Sequence, residues 1–395
     1  MDLAGSRTFV PLLAVSLLTG VGYALAGPFL SAFLIKDVAA GPVAVGGFLL
    51  SGSVAALVVG TVIGRLSDAR AVRREVIVWG SVAATAAYGL FAVTRDYWLL
   101  LAVSLTLVAV SSSLAPQTFA YARQVVERSG STKGPLAVSV VRTVVSVSWV
   151  VGPPVGALLI DTRGFAGLFA VAAGLYLAAA LVTFASLPEL GGGSVPVVSR
   201  DGSPRRVLVS AAVAFVLLQS ADVLGLLVMP LYVTDVLHGT TSDAGLVMGL
   251  CAALEIPLMP AFGALALRID HGVLVLAGGV VALLYYAALL LTTATWQVAA
   301  VQVLHAIVIS AVMGVGISYF QGLAPDRPGY ATTLYTNTLT ISAMVSGPLL
   351  GVAQAMGYRS AFAIASVLTV FGLALLLVTG RARRGAPDAS RPTGS

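Results

Sequence analysis

The chain has 395 residues, of which 58% are hydrophobic and only 10% charged, whereas a soluble domain carries about 25% charged residues. With a mean hydropathy of +0.99, no soluble fold of this length could hide its apolar surface, so a soluble globular protein is excluded and an integral membrane protein is implied. One cysteine, Cys251, excludes a disulfide framework. His238, His271 and His305 are too scattered to suggest zinc, and the net charge of +6 is assigned to loops beside anionic lipid, not to nucleic-acid binding.

The N-terminus, MDLAGSRTFV, leads directly into a long apolar run without a clear cleavage site, and is taken as the start of the first span. A helix needs about 20 apolar residues to cross the hydrocarbon core. Cutting at charged and Gly/Pro-rich breaks predicts twelve spans, at 8–34, 43–64, 76–94, 97–121, 136–160, 164–187, 207–234, 244–267, 272–293, 296–320, 332–355 and 359–380. With the N-terminus placed inside, 17 of the lysines and arginines fall in inner segments and 4 (Lys36, Arg95, Arg163, Arg359) in outer loops, leaving Arg142 within a span. Both termini are therefore expected to be cytoplasmic, in a multi-pass protein of the cell (inner) membrane.

The longest polar break, PELGGGSVPVVSRDGSPRR, lies between the sixth and seventh spans. It divides an all-α membrane protein of twelve transmembrane helices into two six-helix bundles. The four segments in order are an N-terminal bundle (1–187), a cytoplasmic linker (188–206), a C-terminal bundle (207–380) and a cytoplasmic tail (381–395). The halves echo each other. RTVVSVSWVVGPPVG (142–156) and NTLTISAMVSGPLLG (337–351) place Gly-Pro at the same offset, with a glycine four residues later. Gly152, Gly156, Gly347 and Gly351 suit close helix packing, while Pro153, Pro154 and Pro348 remove backbone donors. A repeat of six-helix halves suits a transporter whose site lies between them.

Three ionisable groups fall well inside spans: Arg142, Asp222 and Glu255. A charge at the bilayer centre costs at least about 2.5–3.5 kcal/mol on insertion scales, so such groups face a wet cavity or a partner. Glu255 is followed by Pro257 and Pro260, which cannot donate to the carbonyls of Ala253 and Ile256. It is expected to carry a proton or to accept substrate hydroxyls. Asp222, one turn after Gln219, is a second proton-coupling candidate, and Arg142 a partner for one of the acids. A structural role in helix pairing is the alternative for all three. Neutral polar side chains in or near spans four, ten and eleven are candidates for binding a hydroxyl-bearing substrate: Gln117, Tyr121, Gln302, Tyr335 and Asn337, with Tyr319 and Gln321 nearby. Gln219 and Tyr23 join them from spans seven and one. His305 is expected to be a buried hydrogen-bonding residue, with a proton relay as the alternative.

The loop GRLSDARAVRRE (64–75) resembles the G-x-L-x-D-R-x-G-R-R signature of the major facilitator superfamily. Gly64, Leu66, Asp68, Arg73 and Arg74 fit. Ala69 replaces the first basic residue, Arg70 beside it is the substitute, and the inner glycine is missing. The resemblance implies a cytoplasmic latch made by Gly64, Asp68, Arg70, Arg73 and Arg74. Within that superfamily APQTFAYARQ (115–124), VVRTVVSVSWVVGPPVGALL (140–159) and LEIP (254–257) look like the sugar efflux transporter family. That likeness implies export of sugars or glycosides, driven by protons. GPPVG also resembles a motif of the superfamily's antiporters.

The expected function is thus a secondary transporter that exports sugars or glycosides by proton antiport and alternating access. Its partners would be the sugar, protons and membrane lipid. It would work as a monomer, with no cofactor, metal or nucleic acid. A drug or metabolite/proton antiporter is the nearest alternative, and a non-transporting receptor or scaffold is one of a different class. No nucleophile–base or metal-ligand constellation points to an enzyme.

Overall fold

The computed structural model describes residues 8–70, 72–128, 134–190, 205–325 and 327–384, and among these every regular element is helical. Long apolar helices are α1 (Phe9–Lys36), α2 (Pro42–Ser67), α3 (Arg73–Val93) and α4 (Tyr97–Val126). The next apolar segment, Val140–Ser186, has 47 residues. As one helix it would be about 70 Å long, over twice the hydrocarbon thickness. It is broken at Gly164, where φ is 67° and ψ −175°, a conformation that needs a residue without Cβ. The chain reverses there. Ser148 before the break and Tyr176 after it both pack on α1, beside Gly20 and Gly22. The segment is therefore two crossings, α5 (140–163) and α6 (165–186). The second half contains α7 (Arg206–Val236), α8 (Thr241–Leu265), α9 (His271–Leu291), α10 (Thr295–Leu323), α11 (Tyr330–Met356) and α12 (Ser360–Gly380). Eleven continuous apolar helices among the described residues thus make twelve crossings, in agreement with the spans expected from hydropathy.

Short loops with side-chain caps set the turns. Asp96 accepts from the Leu99 amide at the start of α4, Thr240 and Asp243 form a capping box on α8, and Asp270 accepts from the Gly272 and Val273 amides before α9. Each half has its own aromatic core. Phe33, Tyr88, Phe91, Phe165, Phe169 and Tyr176 join α1, α3 and α6. Phe215, Tyr319, Phe320 and Tyr335 join α7, α10 and α11. Most of the segment expected to link the halves, 191–204, and the tail beyond Arg384 lie outside the described residues.

The halves meet closely on the membrane face away from the termini. A Cβ on Gly245 of α8 would lie 2.6 Å from the Pro153 carbonyl oxygen of α5, and one on Gly249 would lie 2.9 Å from that of Val150. Across the pseudo-twofold axis, a Cβ on Gly347 of α11 would lie 2.8 Å from Leu49 Cβ of α2, and one on Gly351 would collide with the Pro42 carbonyl. Polar contacts lie at the same level. Lys36 Nζ pairs with Asp235 Oδ1 at 2.6 Å, Ser242 donates to Asp161 at 2.6 Å, and Gln354 donates to the Ala40 carbonyl at 3.1 Å.

The paired motifs are therefore not used alike. Gly347 and Gly351 face the opposite half. Gly152 and Gly156 pack instead on Ala24 and Leu25 of α1, within their own half, and α5 offers carbonyls to the glycines of α8.

Overpacking one of these contacts costs about 1–3 kcal/mol. Gly351→Val is expected to open the face away from the termini. Spin labels attached at Val43→Cys and Met356→Cys, in a Cys251→Ser background, should then show a longer distance distribution; an unchanged one would mean that this contact does not hold the face shut.

Candidate functional site

Where the inter-half contacts end, a cavity of about 390 Å³ begins, lined by residues of α4, α5, α7, α8, α10 and α11. This volume lies in the range of small-molecule sites. Both halves contribute walls. The lining follows helical periodicity: Arg142, Ser146 and Trp149 share one face of α5, Met248, Ala252, Glu255 and Met259 one face of α8, and Gln302, His305, Ile309 and Met313 one face of α10. Around residues 310–314 the α10 backbone widens into a π-helical turn, and the Tyr335 hydroxyl donates to the Met313 carbonyl at 3.1 Å. Such bulges re-aim side chains at functional sites.

The polar groups of the C-terminal wall form one connected chain. His305 Nε2 lies 2.7 Å from Asp222 Oδ1. His305 Nδ1 lies 3.3 Å from Cys251 Sγ and 3.2 Å from Gln302 Oε1. Cys251 Sγ lies 3.5 Å from Glu255 Oε1. Tyr285 of α9 stacks on the imidazole with ring centroids 4.5 Å apart and planes within 5°. Two carboxylates, an imidazole and a thiol thus occupy α7, α8 and α10, and one basic group, Arg142, stands on the opposite wall.

Comparison with known proteins decides the family. Residues 12–299 and 211–395 match the profile of the Major Facilitator Superfamily. Sugar efflux transporter A of Dickeya chrysanthemi is 34% identical over 89% of this chain and 91% of that protein. Sugar efflux transporter B of Salmonella typhimurium is 33% identical, over 92% and 93% respectively.

The chain belongs to the major facilitator superfamily and to its sugar efflux transporter family.

The fold agrees. A bacterial homolog of the human lysosomal transporter Spinster, in an inward-facing and occupied conformation, superposes with a TM-score of 0.79 at 14% identity, covering 96% of this chain and 98% of that one. The nucleoside transporter NupG superposes with a TM-score of 0.77 at 11% identity, covering 94% and 99%. This member of the superfamily is a multi-pass membrane transporter, not an enzyme.

The structure brings together Arg142, Asp222, Glu255, Gln302 and Tyr335, all of which line the cavity. The ion partner of Asp222 is His305, not Arg142, because α10 packs beside α7 within the same half whereas α5 lies across the cavity. His305 is buried and hydrogen-bonded, as expected. Other candidates fall elsewhere. Gln117 accepts from Ser67 at 2.9 Å, joining α4 to α2, and the Tyr121 hydroxyl donates to the Pro188 carbonyl at 2.6 Å. Gln219 accepts from Thr338 at 2.8 Å between α7 and α11. Tyr23 is exposed and edge-on to the lining residue Trp149 at 6.0 Å, without itself belonging to the lining, and Asn337 is exposed outside the lining. Gln321 donates to Thr332 at 3.1 Å, and Tyr319 stacks on Phe215.

The sequence reading missed Trp149, Phe119 and Ser146 as lining residues. Trp149 was legible as the residue two helical turns beyond Arg142, on the same face.

Of the expected latch, the side chains of Asp68 and Arg70 lie outside the described residues. The Arg74 guanidinium donates to the Phe184 carbonyl at 2.6 Å and lies over the Phe184 ring, joining α3 to the end of α6. Gly64 has open space around it.

Removing one partner of a buried ion pair costs about 3–5 kcal/mol. Asp222→Leu is therefore expected to lower the Tm of the purified protein in detergent well below that of Glu255→Gln, whose carboxylate has only a thiol as donor. Equal melting temperatures would show that the Asp222–His305 pair adds nothing to the fold.

Proposed function

We propose that this transporter exports sugars or glycosides in exchange for protons, by alternating access of the cavity between its halves. One observation supports this most: Glu255, a carboxylate with a weak thiol donor, lines a cavity that also presents an aromatic ring and a guanidinium. A sugar ring suits such walls. Trp149 offers a face for stacking, and Ser146 and Arg142 offer groups for hydroxyls. An ionised Glu255 accepts sugar hydroxyls; a protonated Glu255 loses acceptor capacity. Sugar and proton then compete for one side chain, which is the requirement for exchange in opposite directions. The names of the relatives support sugar as the cargo and export as the direction.

The placement of 17 basic residues against 4 supports cytoplasmic termini. With that orientation, the cavity in this conformation opens to the cytoplasm, since the sealing contacts of α5 with α8 and of α2 with α11 lie on the other face. Each bundle supplies half of the site, so a monomer is the proposed working unit. A cationic drug is a poorer fit: Asp222 already accepts from His305, and Arg142 opposes Glu255 across the cavity.

The test is proton movement in proteoliposomes on adding a panel of neutral sugars, alkyl glycosides and cationic drugs. Sugar-dependent flux that disappears in Glu255→Gln is expected; flux with cations alone would replace sugar export by drug antiport. Trp149→Ala should raise the KM for the transported sugar about 2- to 10-fold, the usual worth of an aromatic contact, with Trp149→Phe in between. An unchanged KM would remove Trp149 from the sugar site.

A further inference from the structure

The surroundings of His305 differ from those of an ordinary structural histidine. An ionised Asp222 can only accept, so opposite it Nε2 of the imidazole carries a hydrogen whether the ring is neutral or charged. The other nitrogen, Nδ1, has two neighbours of opposite kind. Cys251 Sγ, at 3.3 Å, can donate. Gln302 presents its Oε1, at 3.2 Å, because its Nε2 is committed to the Val298 carbonyl. A neutral ring is satisfied by the thiol donating to Nδ1; a charged ring is satisfied by Nδ1–H donating to the amide oxygen. The thiol also has two acceptors, Nδ1 and Glu255 Oε1 at 3.5 Å. Each protonation state of the ring therefore has a complete hydrogen-bond set without any movement of the helices. A histidine that served only to pack would need one such set.

We propose that His305 holds the transported proton, receiving it from Glu255 through the Cys251 thiol and keeping it as an imidazolium against Asp222. This rests on the proton-coupled reading above and adds the carrier. The step balances as two linked transfers. The Glu255 carboxyl proton moves to Sγ as the thiol proton moves to Nδ1. The carboxyl becomes carboxylate, the thiol is regenerated, and the imidazole becomes imidazolium. The thiol then donates to the new carboxylate, and Nδ1–H to Gln302. Glu255 is left ionised and bonded to the thiol, and sugar takes its oxygens only after the proton has left His305, so that proton and sugar still alternate in the cavity. The groups facing His305 are Asp222 from α7, Cys251 and Glu255 from α8, Tyr285 from α9 and Gln302 from its own helix; Arg142 of α5 and Tyr335 of α11 face the same cavity. Asp222 and Tyr285 are positioning residues: one fixes the tautomer and the other the plane of the ring.

The deciding experiment needs no sugar. The chain with His238→Asn and His271→Gln has His305 as its one imidazole. It is labelled with 15N-histidine in lipid nanodiscs and followed by NMR between about pH 5 and pH 9. The expected result is hydrogen on Nε2 and a bare Nδ1 at the alkaline end, then protonation of Nδ1 as pH falls, with the midpoint moved in Glu255→Gln. Hydrogen on Nδ1 at the alkaline end, or one unchanging state across the range, overturns the proposal.

Proteoliposomes supply the second arm, with radiolabelled methyl glucoside as probe. In His305→Gln the ratio of proton-driven accumulation to sugar–sugar exchange should fall about tenfold or more. Cys251→Ser, which can still donate and accept, should keep that ratio closer to the native value than Cys251→Ala does. An unchanged ratio in His305→Gln overturns the carrier role. If the native chain moves no sugar, the export reading fails while the NMR result stands.

Discussion

Everything in this molecule depends on how closely two backbones can approach on one face of the membrane. In lipid there is no hydrophobic drive between helices, so contact strength comes from packing and hydrogen bonds. At α5–α8 and α2–α11 the chain uses glycines to let carbonyls approach within van der Waals reach. Both contacts lie at the same end of their helices. Beyond them the helices separate, and the site exists because they do. A transporter must also break these contacts in its cycle. Small residues suit that need, since they form an interface without interlocking long side chains that would have to withdraw.

The polar chemistry is asymmetric across this symmetric frame. The two acids, the imidazole and the thiol belong to the C-terminal half, while Arg142, Ser146 and Trp149 belong to the N-terminal half. A bound sugar that touches both walls therefore joins a charge-bearing wall to an aromatic one, and its contacts change when either half tilts. The chain of hydrogen bonds from Glu255 to Asp222 stays within one half. It can survive the rocking motion intact, because none of its links crosses the interface that opens and closes.

The same logic explains how a buried carboxylate is tolerated among apolar neighbours. Glu255 lies where Pro257 and Pro260 interrupt the backbone ladder of α8, and its stripe of the helix faces the cavity instead of lipid. Asp222 is matched by His305. The charges expected to be costly in a bilayer are therefore each placed against a partner or a cavity, as membrane energetics demands.

Much of the architecture was legible in the chain itself. Apolar runs long enough to cross a bilayer, charge asymmetry between loops and the single polar break define spans because lipid tolerates only helices with internally satisfied backbones. Even Gly164 was visible, as the break beside Arg163 that separates spans five and six. Glu255, Asp222 and Arg142 announced themselves because charge inside a span is rare. What the chain could not reveal was pairing. Gln117 and Tyr121 looked like sugar ligands but lie outside the lining, hydrogen-bonded to Ser67 and Pro188, since a neutral polar residue costs little in either place and composition does not separate the two. Likewise Gly152 and Gly347 occupy matching sequence positions, yet Gly152 packs within its own half and Gly347 against the opposite one. Only tertiary structure decided that His305 of α10 would meet Asp222 of α7 and Cys251 of α8. Residues 83 and 54 positions apart meet through helix packing angles, which no local pattern encodes.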